Sequence, residues 1–325
     1  MTAAMRHDLR EPGALRVKFA RTSRRSAALA GTLHAVAKPA LNAWSYVPAL
    51  SYLSGVVDLA ADRLAVPDGT TVASVQLGAC DAELIRAPRS LDDGAVLYLH
   101  GGAFIVCGLA SHRRLAAYTS RVARQPLLNV GFRMLPHVSL DEMVGDCLSG
   151  YRWLLDQGHP ADRISIVGDS AGGFLAFATA LAIRDDGLPT PASIATLSPL
   201  LDLGVERKAG SPHSDKCDLF SVRTCMALQR LVERVDREHE LQGPRVSPID
   251  ADLHGLPPVL IQMGSREILR PDAEEMIDRL AAARVPAQLQ IWRGQVHVFQ
   301  AAASWLPEAS EAMRELGRFV RRNLP

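Results

Sequence analysis

Residues 163–182 read RISIVGDSAGGFLAFATALA, an apolar strand-like run followed by a helix-like run, joined through the letters GDSAG. Gly168, Ser170 and Gly172 form the pattern G-x-S-x-G. Between a strand and a helix, this pattern predicts a tight turn that lifts the serine hydroxyl above a sheet, with the flanking glycines relieving the crowding. The helix that follows also directs its N-terminal N–H groups at the turn. Ser170 is therefore the candidate nucleophile.

Strand-like and helix-like segments alternate around this turn. Buried strands are predicted from short apolar or alternating runs, of which the chain has eight. They are TTVASVQLG, DAELIRAP, AVLYL, LLNVGF, RISIVG, ASIATLS, PVLIQMG and AQLQIW. Helix-length stretches lie at 111–124, 141–157, 171–185, 272–284 and 308–322. Because a repeated strand–helix order produces parallel strands, we predict a mostly parallel sheet with helices on both faces.

Composition limits the classes of function that need to be considered. The 325 residues carry a net charge of +1, so no overall positive field favours nucleic acid, and no nucleic-acid partner is expected. The five cysteines are scattered and show no CxxC spacing, which predicts neither a disulfide framework nor a zinc site. A reducing compartment follows as the simpler expectation, and we predict a cytoplasmic protein.

The N-terminal forty residues hold eight basic residues against Asp8 and Glu11. The stretch TSRRSAALAGTLHAVAKPA at 22–40 resembles a twin-arginine export signal, but its apolar part is short, is interrupted by His34 and comes late in the chain. No run approaches the roughly 18 apolar residues that span a bilayer. We interpret the segment as a solvated charged face. Export, or a basic amphipathic helix that covers an active site or touches a lipid surface, stays open as an alternative.

A serine hydroxyl needs a base and an orienting acid, which follow the serine in the order acid, then histidine. His297 lies in QIWRGQVHVFQ, just past the last predicted strand, and Glu267 follows PVLIQMG at another strand end. Three residues in this order, each at the carboxyl end of a strand, favour a catalytic triad. Asp272 is the alternative acid, but it follows Pro271 at the start of a helical pattern, where an acidic first-turn residue is ordinary.

In the run VLYLHGGAFIVCG at 96–108, a predicted strand is followed by Gly101, Gly102 and Ala103, which have little or no side chain. Acyl transfer builds negative charge on a carbonyl oxygen, and backbone N–H groups stabilise that charge without side chains blocking the approach. We therefore predict an oxyanion hole made of the N–H groups of Gly101, Gly102 and Ala171. We expect His100 to form a hydrogen bond within this loop, and Asp169 to hold loop and strand ends.

These motifs resemble those of the bacterial hormone-sensitive-lipase-like carboxylesterases of the α/β-hydrolase superfamily. The resemblance extends over roughly 70–320 and rests on six stretches in the family's order. They are HGGAF, GDSAGG, FRMLP with SLDEMVGDCLSGYRWL, LSPLLDL, RVSPIDADLHGLPPVLIQMGSREIL and the loop of His297. Two departures stand out: Ala103 occupies a position where the family often has a third glycine, and MLPHVSLD largely lacks the family's acidic residue and prolines.

The resemblance implies an α/β-hydrolase fold with an eight-stranded, mostly parallel sheet, helices on both faces and a helical cap. The core would then be 66–202 and 245–325, with a cap built from 1–65 and the insertion 203–244. The family relationship implies a serine carboxylesterase or lipase acting on small-molecule esters of short to medium acyl chains, without metal or organic cofactor. An amidase or lactonase with the same triad stays open, as does a non-catalytic receptor of this fold. The sequence leaves the oligomeric state undecided, a homodimer included.

Overall fold

A computed structural model describes residues 13–46, 54–61, 66–241 and 245–325. Their strands form one nine-stranded sheet in the order β1-β9-β8-β7-β6-β4-β5-β3-β2, in which only β3 runs antiparallel to the others. The strands are β1 (Ala14–Phe19), β2 (Thr71–Leu77), β3 (Cys80–Arg86), β4 (Ala95–Leu99), β5 (Leu127–Gly131), β6 (Ile164–Asp169), β7 (Ser193–Leu197), β8 (Val259–Gly264) and β9 (Ala287–Trp292). The mostly parallel sheet agrees with the prediction, and all eight predicted strands are present.

The ninth strand, β1, adds to the eight predicted strands and lies within 1–65, the stretch predicted to be a helical cap segment. Residues 14–19 pair in parallel with β9 and extend the core sheet. From Leu15 to Phe19 the sequence LRVKF alternates apolar and basic residues, and these apolar positions are half-buried while the basic ones are exposed. That alternation is typical of an edge strand. The high basic content of the N-terminal segment obscured this signal.

Helices cover both faces of the sheet, as the alternation predicts. Five helices pack on the core sheet, namely α4 (Leu109–Ala123), α5 (Leu140–Asp156), α6 (Ala171–Asp185), α9 (Arg270–Ala282) and α10 (Pro307–Arg322). Apolar side chains of α5, α6 and α9 belong to one buried cluster, and those of α4 and α10 belong to a second. Two separate apolar layers therefore hold the sheet between them. Because the strands other than β3 run parallel, their carboxyl ends lie at one edge of the sheet.

Further helices lie in the segments predicted to form the cap. They are α1 (Arg24–Thr32), α2 (Lys38–Trp44), α3 (Ser54–Ala61), α7 (Glu206–Ala209) and α8 (Val222–Glu238), with a π-helical turn at Leu33–Ala37 between α1 and α2. Lys38 Nζ donates to the carbonyl of Cys217 at 2.7 Å, and Ser221 Oγ donates to Asn42 Oδ1 at 2.5 Å. The N-terminal segment and the insertion are thus joined to each other.

Parts of the predicted cap lie outside the described residues, namely 1–12, 47–53, 62–65 and 242–244. Within the described ranges, no helix combines the length and apolar character needed to cross a membrane.

Candidate active site

Ser170 occupies a strained turn between β6 and α6. Its φ of 51° and ψ of −118° form a backbone conformation that L-residues rarely adopt, and its N–H donates to the carbonyl of Leu197 at 2.9 Å. A side chain at Gly172 would place Cβ 1.9 Å from the Leu99 carbonyl oxygen, so only glycine fits there. The turn predicted from G-x-S-x-G is present, and it raises the serine hydroxyl at the carboxyl edge of the sheet.

The structure brings Ser170, His297 and Glu267 into one hydrogen-bonded chain. Ser170 Oγ lies 2.8 Å from His297 Nε2, and His297 Nδ1 lies 2.7 Å from Glu267 Oε2. The side chains of His297 and Glu267 are 6% and 1% exposed, so water has little access to the bond between them. This geometry allows the imidazole to take a proton from the serine while the carboxylate orients the ring.

Glu267 and His297 are supported by groups that the sequence analysis did not assign. Glu267 Oε1 accepts hydrogen bonds from Ser198 Oγ at 2.7 Å and from the Gly264 N–H at 2.5 Å. Phe220, from the insertion, packs edge-on against the His297 ring at 4.8 Å between centroids. Ser198 belongs to the LSPLLDL stretch that carries part of the family resemblance, and this was the signal available for finding it.

Asp272, the alternative acid, has a different partner. It lies in the first turn of α9 and is fully buried, with its Oδ2 atom 2.7 Å from the ammonium of the equally buried Lys208. Burial raises the pKa of Asp272 to about 6, although the Lys208 charge opposes this shift. Among the described residues, the carboxylate at His297 Nδ1 is that of Glu267.

The oxyanion-hole prediction needs one correction, at Gly101. Its N–H donates to Asp169 Oδ1 at 3.1 Å and is therefore already used, while its carbonyl accepts from His100 Nδ1 at 2.8 Å, as expected for a loop histidine. Across the described part of the chain, nothing accepts a hydrogen bond from the N–H groups of Gly102, Ala103 or Ala171. Gly102 has a φ of +115°, and a Cβ there would lie 2.0 Å from the Val106 oxygen. The N–H groups without an acceptor in the described ranges thus include those of Gly102 and Ala171, two of the three predicted donors, and that of Ala103 in place of Gly101.

An apolar cavity of about 230 Å³ opens at Ser170. It lies between the core and the segments predicted to form the cap. The lining residues are Ala40, Leu41, Trp44, Ala103, Ile105, Val106, Ser170, Ala171, Leu200, Phe220, Thr224, Cys225, Leu228 and Leu269. Its shape and chemistry suit an apolar chain attached to a reacting carbonyl. Over the ranges that the structure describes, no three His, Cys, Asp or Glu side chains are grouped as metal ligands.

A serine–histidine–carboxylate chain on a strand–turn–helix of a parallel sheet is typical of α/β-hydrolases. The family described as the alpha/beta hydrolase fold matches residues 96–301. The chain is 41% identical over 292 residues to the esterase LipU of Mycobacterium tuberculosis, covering 87% of this chain and 98% of the relative. It is 37% identical over 305 residues to the carboxylesterase/phospholipase LipF of the same organism, covering 90% and 82%.

Solved structures agree with these sequence relationships. A crystal structure of an esterase from the bacterial hormone-sensitive lipase family superimposes with a TM-score of 0.81 at 28% identity, covering 94% of this chain and 100% of the other. Crystalline EstE5 soaked with p-nitrophenyl butyrate superimposes with a TM-score of 0.82 at 30% identity, covering 93% and 99%. The chain belongs to the bacterial hormone-sensitive-lipase-like carboxylesterases of the α/β-hydrolase fold. Its activity is that of a carboxylic ester hydrolase, and its substrates are small-molecule esters.

Proposed function

We propose that this esterase works through an acyl-enzyme formed on Ser170. His297 Nε2 takes the hydroxyl proton as Ser170 Oγ attacks the ester carbonyl, and Glu267 holds the imidazole by accepting its Nδ1–H. The alcohol leaves with the proton from His297. Water, activated by the same ring, then releases the acid and restores the serine. The observation that carries the proposal is the unbroken chain of hydrogen bonds from Ser170 through His297 to Glu267.

The charge that forms on the carbonyl oxygen would be stabilised by backbone N–H groups. We assign this role to Gly102, Ala103 and Ala171, whose N–H groups are without acceptors among the described residues. Ala171 is also the first residue of α6, so its N–H lies at the positive end of the helix dipole. Each such donor contributes about a hundredfold or more to the rate in comparable sites.

The acyl group would occupy the cavity beside Ser170, which limits its length. A cavity of about 230 Å³ with apolar walls supports short to medium acyl chains. A butyrate ester was soaked into the crystals of the similar EstE5, which supports a preference for acyl groups in this range. Trp44 of α2 and Leu228 of α8 both line the cavity, which supports a cap composed of the 1–65 segment after β1 together with 203–244.

The basic N-terminal segment is better explained by internal contacts than by a lipid surface. Arg16 pairs with Asp278 at 2.7 Å, Arg25 donates to the Trp305 carbonyl at 2.7 Å, and Lys38 donates to the Cys217 carbonyl. Basic side chains engaged in this way support a segment that is attached to the rest of the protein rather than to a lipid surface. All five cysteines are free thiols, which supports the proposed cytoplasmic location because reducing compartments keep thiols unpaired.

Labelling by an active-site reagent tests the mechanism directly. An aryl organophosphate should abolish hydrolysis of p-nitrophenyl butyrate, and mass spectrometry should locate one phosphoryl adduct on the peptide that contains Ser170. Ser170→Ala and His297→Ala should each abolish turnover, because the two groups act as one unit. Activity above about a tenth of wild type in His297→Ala would reject that residue as the base. A panel of aryl esters, anilides and lactones separates an esterase from an amidase or lactonase.

A further inference from the structure

A cluster of buried polar side chains lies beneath the loop that carries the proposed oxyanion donors. Its centre is Asp169, which directly precedes Ser170 and is 2% exposed. Asp169 Oδ1 accepts hydrogen bonds from the Gly101 N–H at 3.1 Å and from Tyr98 Oη at 2.7 Å. A side chain at Gly101 would place Cβ 2.3 Å from Asp169 Oδ2, so carboxylate and loop are in close contact. One carboxylate therefore connects the nucleophile turn to the oxyanion loop.

The second oxygen of this carboxylate contacts His112, on the first turn of α4. His112 Nε2 lies 3.3 Å from Asp169 Oδ2, and His112 Nδ1 lies 3.2 Å from Ser111 Oγ. Ser111 Oγ also lies within bonding distance of the Gly108 carbonyl, to which it donates, so its lone pairs can accept from His112. Both ring nitrogens can then donate at once, which is the hydrogen-bonding pattern of an imidazolium.

Two carboxylates near His112 favour its charged form, Asp169 on β6 and Asp58 on α3. The His100 ring on the oxyanion loop lies with its centroid 5.4 Å from that of His112, and Cys107 on the same loop lies near both carboxylates. Burial lowers the pKa of His112, but the two carboxylates and the hydrogen bonds outweigh burial, and the pKa of the ring is raised above 6.5. Burial together with the nearby His112 lowers the pKa of His100 to about 4, so His100 is neutral. Burial raises the pKa of the Cys107 thiol to about 11, and this group is neutral as well.

Asp169 is correspondingly held as a carboxylate. Burial raises its pKa, but His112 and the hydrogen bonds from His112 and Tyr98 reverse the shift, and the pKa of Asp169 lies below 3.8. A buried carboxylate and a buried imidazolium balance each other, whereas either one alone would be a costly unpaired charge. The hydrogen bond from the Gly101 N–H to Asp169 is charge-assisted because Asp169 is ionised, and such hydrogen bonds are stronger than neutral ones.

We propose that His112 is a positioning residue for ester hydrolysis: it acts through Asp169, whose carboxylate fixes the Gly101 peptide and thereby the orientation of the Gly102 and Ala103 N–H groups. His112 touches neither substrate nor the reacting atoms. This inference rests on the proposed role of Gly102 and Ala103 as oxyanion donors. Its effect should fall on the transition state, in which the oxyanion exists, rather than on binding of the neutral ester.

The test compares His112→Gln with a matched histidine–aspartate pair at the surface. His112→Gln should lower kcat for p-nitrophenyl butyrate about ten- to a hundredfold and change KM less than about twofold, as expected for a weakened oxyanion site. His254 lies 2.6 Å from Asp252, and both are exposed, so His254→Gln should leave kcat unchanged. The double variant His112→Gln with Asp169→Asn removes both charges, keeps an acceptor for the Gly101 N–H, and should recover at least threefold in kcat over the single variant.

A pH profile distinguishes positioning from a merely structural role. Because the folded pKa of His112 is raised, the ion pair is complete below pH 6.5 and is lost as the pH rises through the folded value. The ratio of wild-type kcat to that of His112→Gln should therefore shrink with rising pH. A ratio independent of pH, an unchanged kcat, or a double variant no better than the single one would overturn the proposal.

Two further measurements keep the test informative if His112→Gln does not fold or if the proposed mechanism fails. Asp169→Asn removes the charge but preserves an acceptor, so the ratio of wild-type kcat to the kcat of this variant should also shrink as the pH rises; a ratio independent of pH would reject the ion pair. The wild-type unfolding free energy should also fall as the pH rises above 6.5, whether or not Ser170 is labelled. Absence of the adduct on Ser170 would reject the mechanism, whereas a pH-independent unfolding free energy would reject the ion pair.

Discussion

Ser198 Oγ lies 2.7 Å from Glu267 Oε1 and also accepts the N–H of Val298 at 3.0 Å. Val298 is the residue after His297, so one hydroxyl connects the proposed acid to the loop that carries the proposed base. Ser198 is fully buried and has a φ of 50°, a conformation that is uncommon outside glycine. The relative position of the proposed acid and base thus depends on a serine that directly follows a third strand, β7.

We predict that Ser198→Ala weakens catalysis by loosening this connection. It removes a hydrogen bond to a carboxylate and leaves the Val298 N–H without a partner, so kcat should fall about tenfold with KM nearly unchanged. Ser165→Ala is the control, since Ser165 forms an equally buried hydrogen bond with Ser193 at 2.9 Å within the core sheet. Steady-state kinetics on p-nitrophenyl butyrate should show loss of kcat in the first variant alone; equal losses in both would contradict a specific role.

Glu267→Gln and Asp272→Asn separate the two candidate acids. Loss of the orienting carboxylate costs about ten-thousandfold in kcat in the serine proteases, because the imidazole adopts the wrong tautomer. Glu267→Gln should accordingly lower kcat by orders of magnitude, and Asp272→Asn should keep kcat within about threefold at temperatures where it is folded. The measurement is kcat at 25 °C with folding checked by circular dichroism, and the opposite order of rates would assign the acid to Asp272.

The buried Lys208–Asp272 pair should be important for stability rather than for turnover. Lys208 Nζ also donates to the carbonyls of Asp202 and Gly204, at 2.8 and 2.7 Å, so the ammonium has no path to water. Removing one partner leaves an unpaired buried charge, and Asp272→Leu or Lys208→Met alone should lower the unfolding free energy by about 3 kcal/mol or more. Urea titration should show that Lys208→Met with Asp272→Leu recovers most of this loss. A strictly additive double variant would mean that the two charges do not stabilise each other.

Trp44 should limit the acyl chain that the cavity accepts. Trp44→Ala removes the largest side chain contributed by α2 to the cavity wall, and the added space should favour longer chains. The ratio of kcat/KM for octanoate over butyrate esters should rise about tenfold or more, since a single methylene in an apolar pocket is already worth about 1–3 kcal/mol. Trp305→Ala serves as the control because Trp305 is half-exposed and lies outside the cavity lining. An unchanged chain-length profile would place the acyl group elsewhere.

Because β1 belongs to the core sheet, changes in the N-terminal segment should affect folding. Phe19 of β1 stacks on Trp292 of β9 with centroids 3.7 Å apart and an angle of 4° between the rings. Phe19→Ala should lower the unfolding free energy by about 2 kcal/mol while kcat stays near wild type.

Deleting residues 1–45 removes β1 together with α2 and exposes the edge of β9, so loss of soluble protein is expected. A truncated protein that folds and changes only KM would show that β1 is dispensable.

Sequence patterns determined the features that depend on a few neighbouring residues. G-x-S-x-G after an apolar run specifies the nucleophile turn, because a tight strand-to-helix turn needs glycines at those spacings. The eight core strands follow from apolar runs whose burial on both faces is typical of parallel sheets. His297 and Glu267 could be proposed because each closely follows a predicted strand, and parallel strands end at one edge of a sheet. The signal for β1 was also present, as the alternation in ALRVKF.

Tertiary structure alone decided which groups are free and which are already bonded. Gly101 and Ala103 both have little or no side chain, so the sequence does not distinguish their N–H groups. In the structure the Gly101 N–H already donates to Asp169, which lies 68 positions away along the chain. Glu267 and Asp272 are both acids near one strand end, yet Lys208 of the insertion pairs with Asp272, whereas Glu267 contacts His297. A buried donor or acceptor takes its partner from whatever the packed chain places within about 3 Å, and residues far apart in the sequence supply that partner. For this reason the availability of a polar group in the site could be determined only after the sheet, helices and insertion had been assembled.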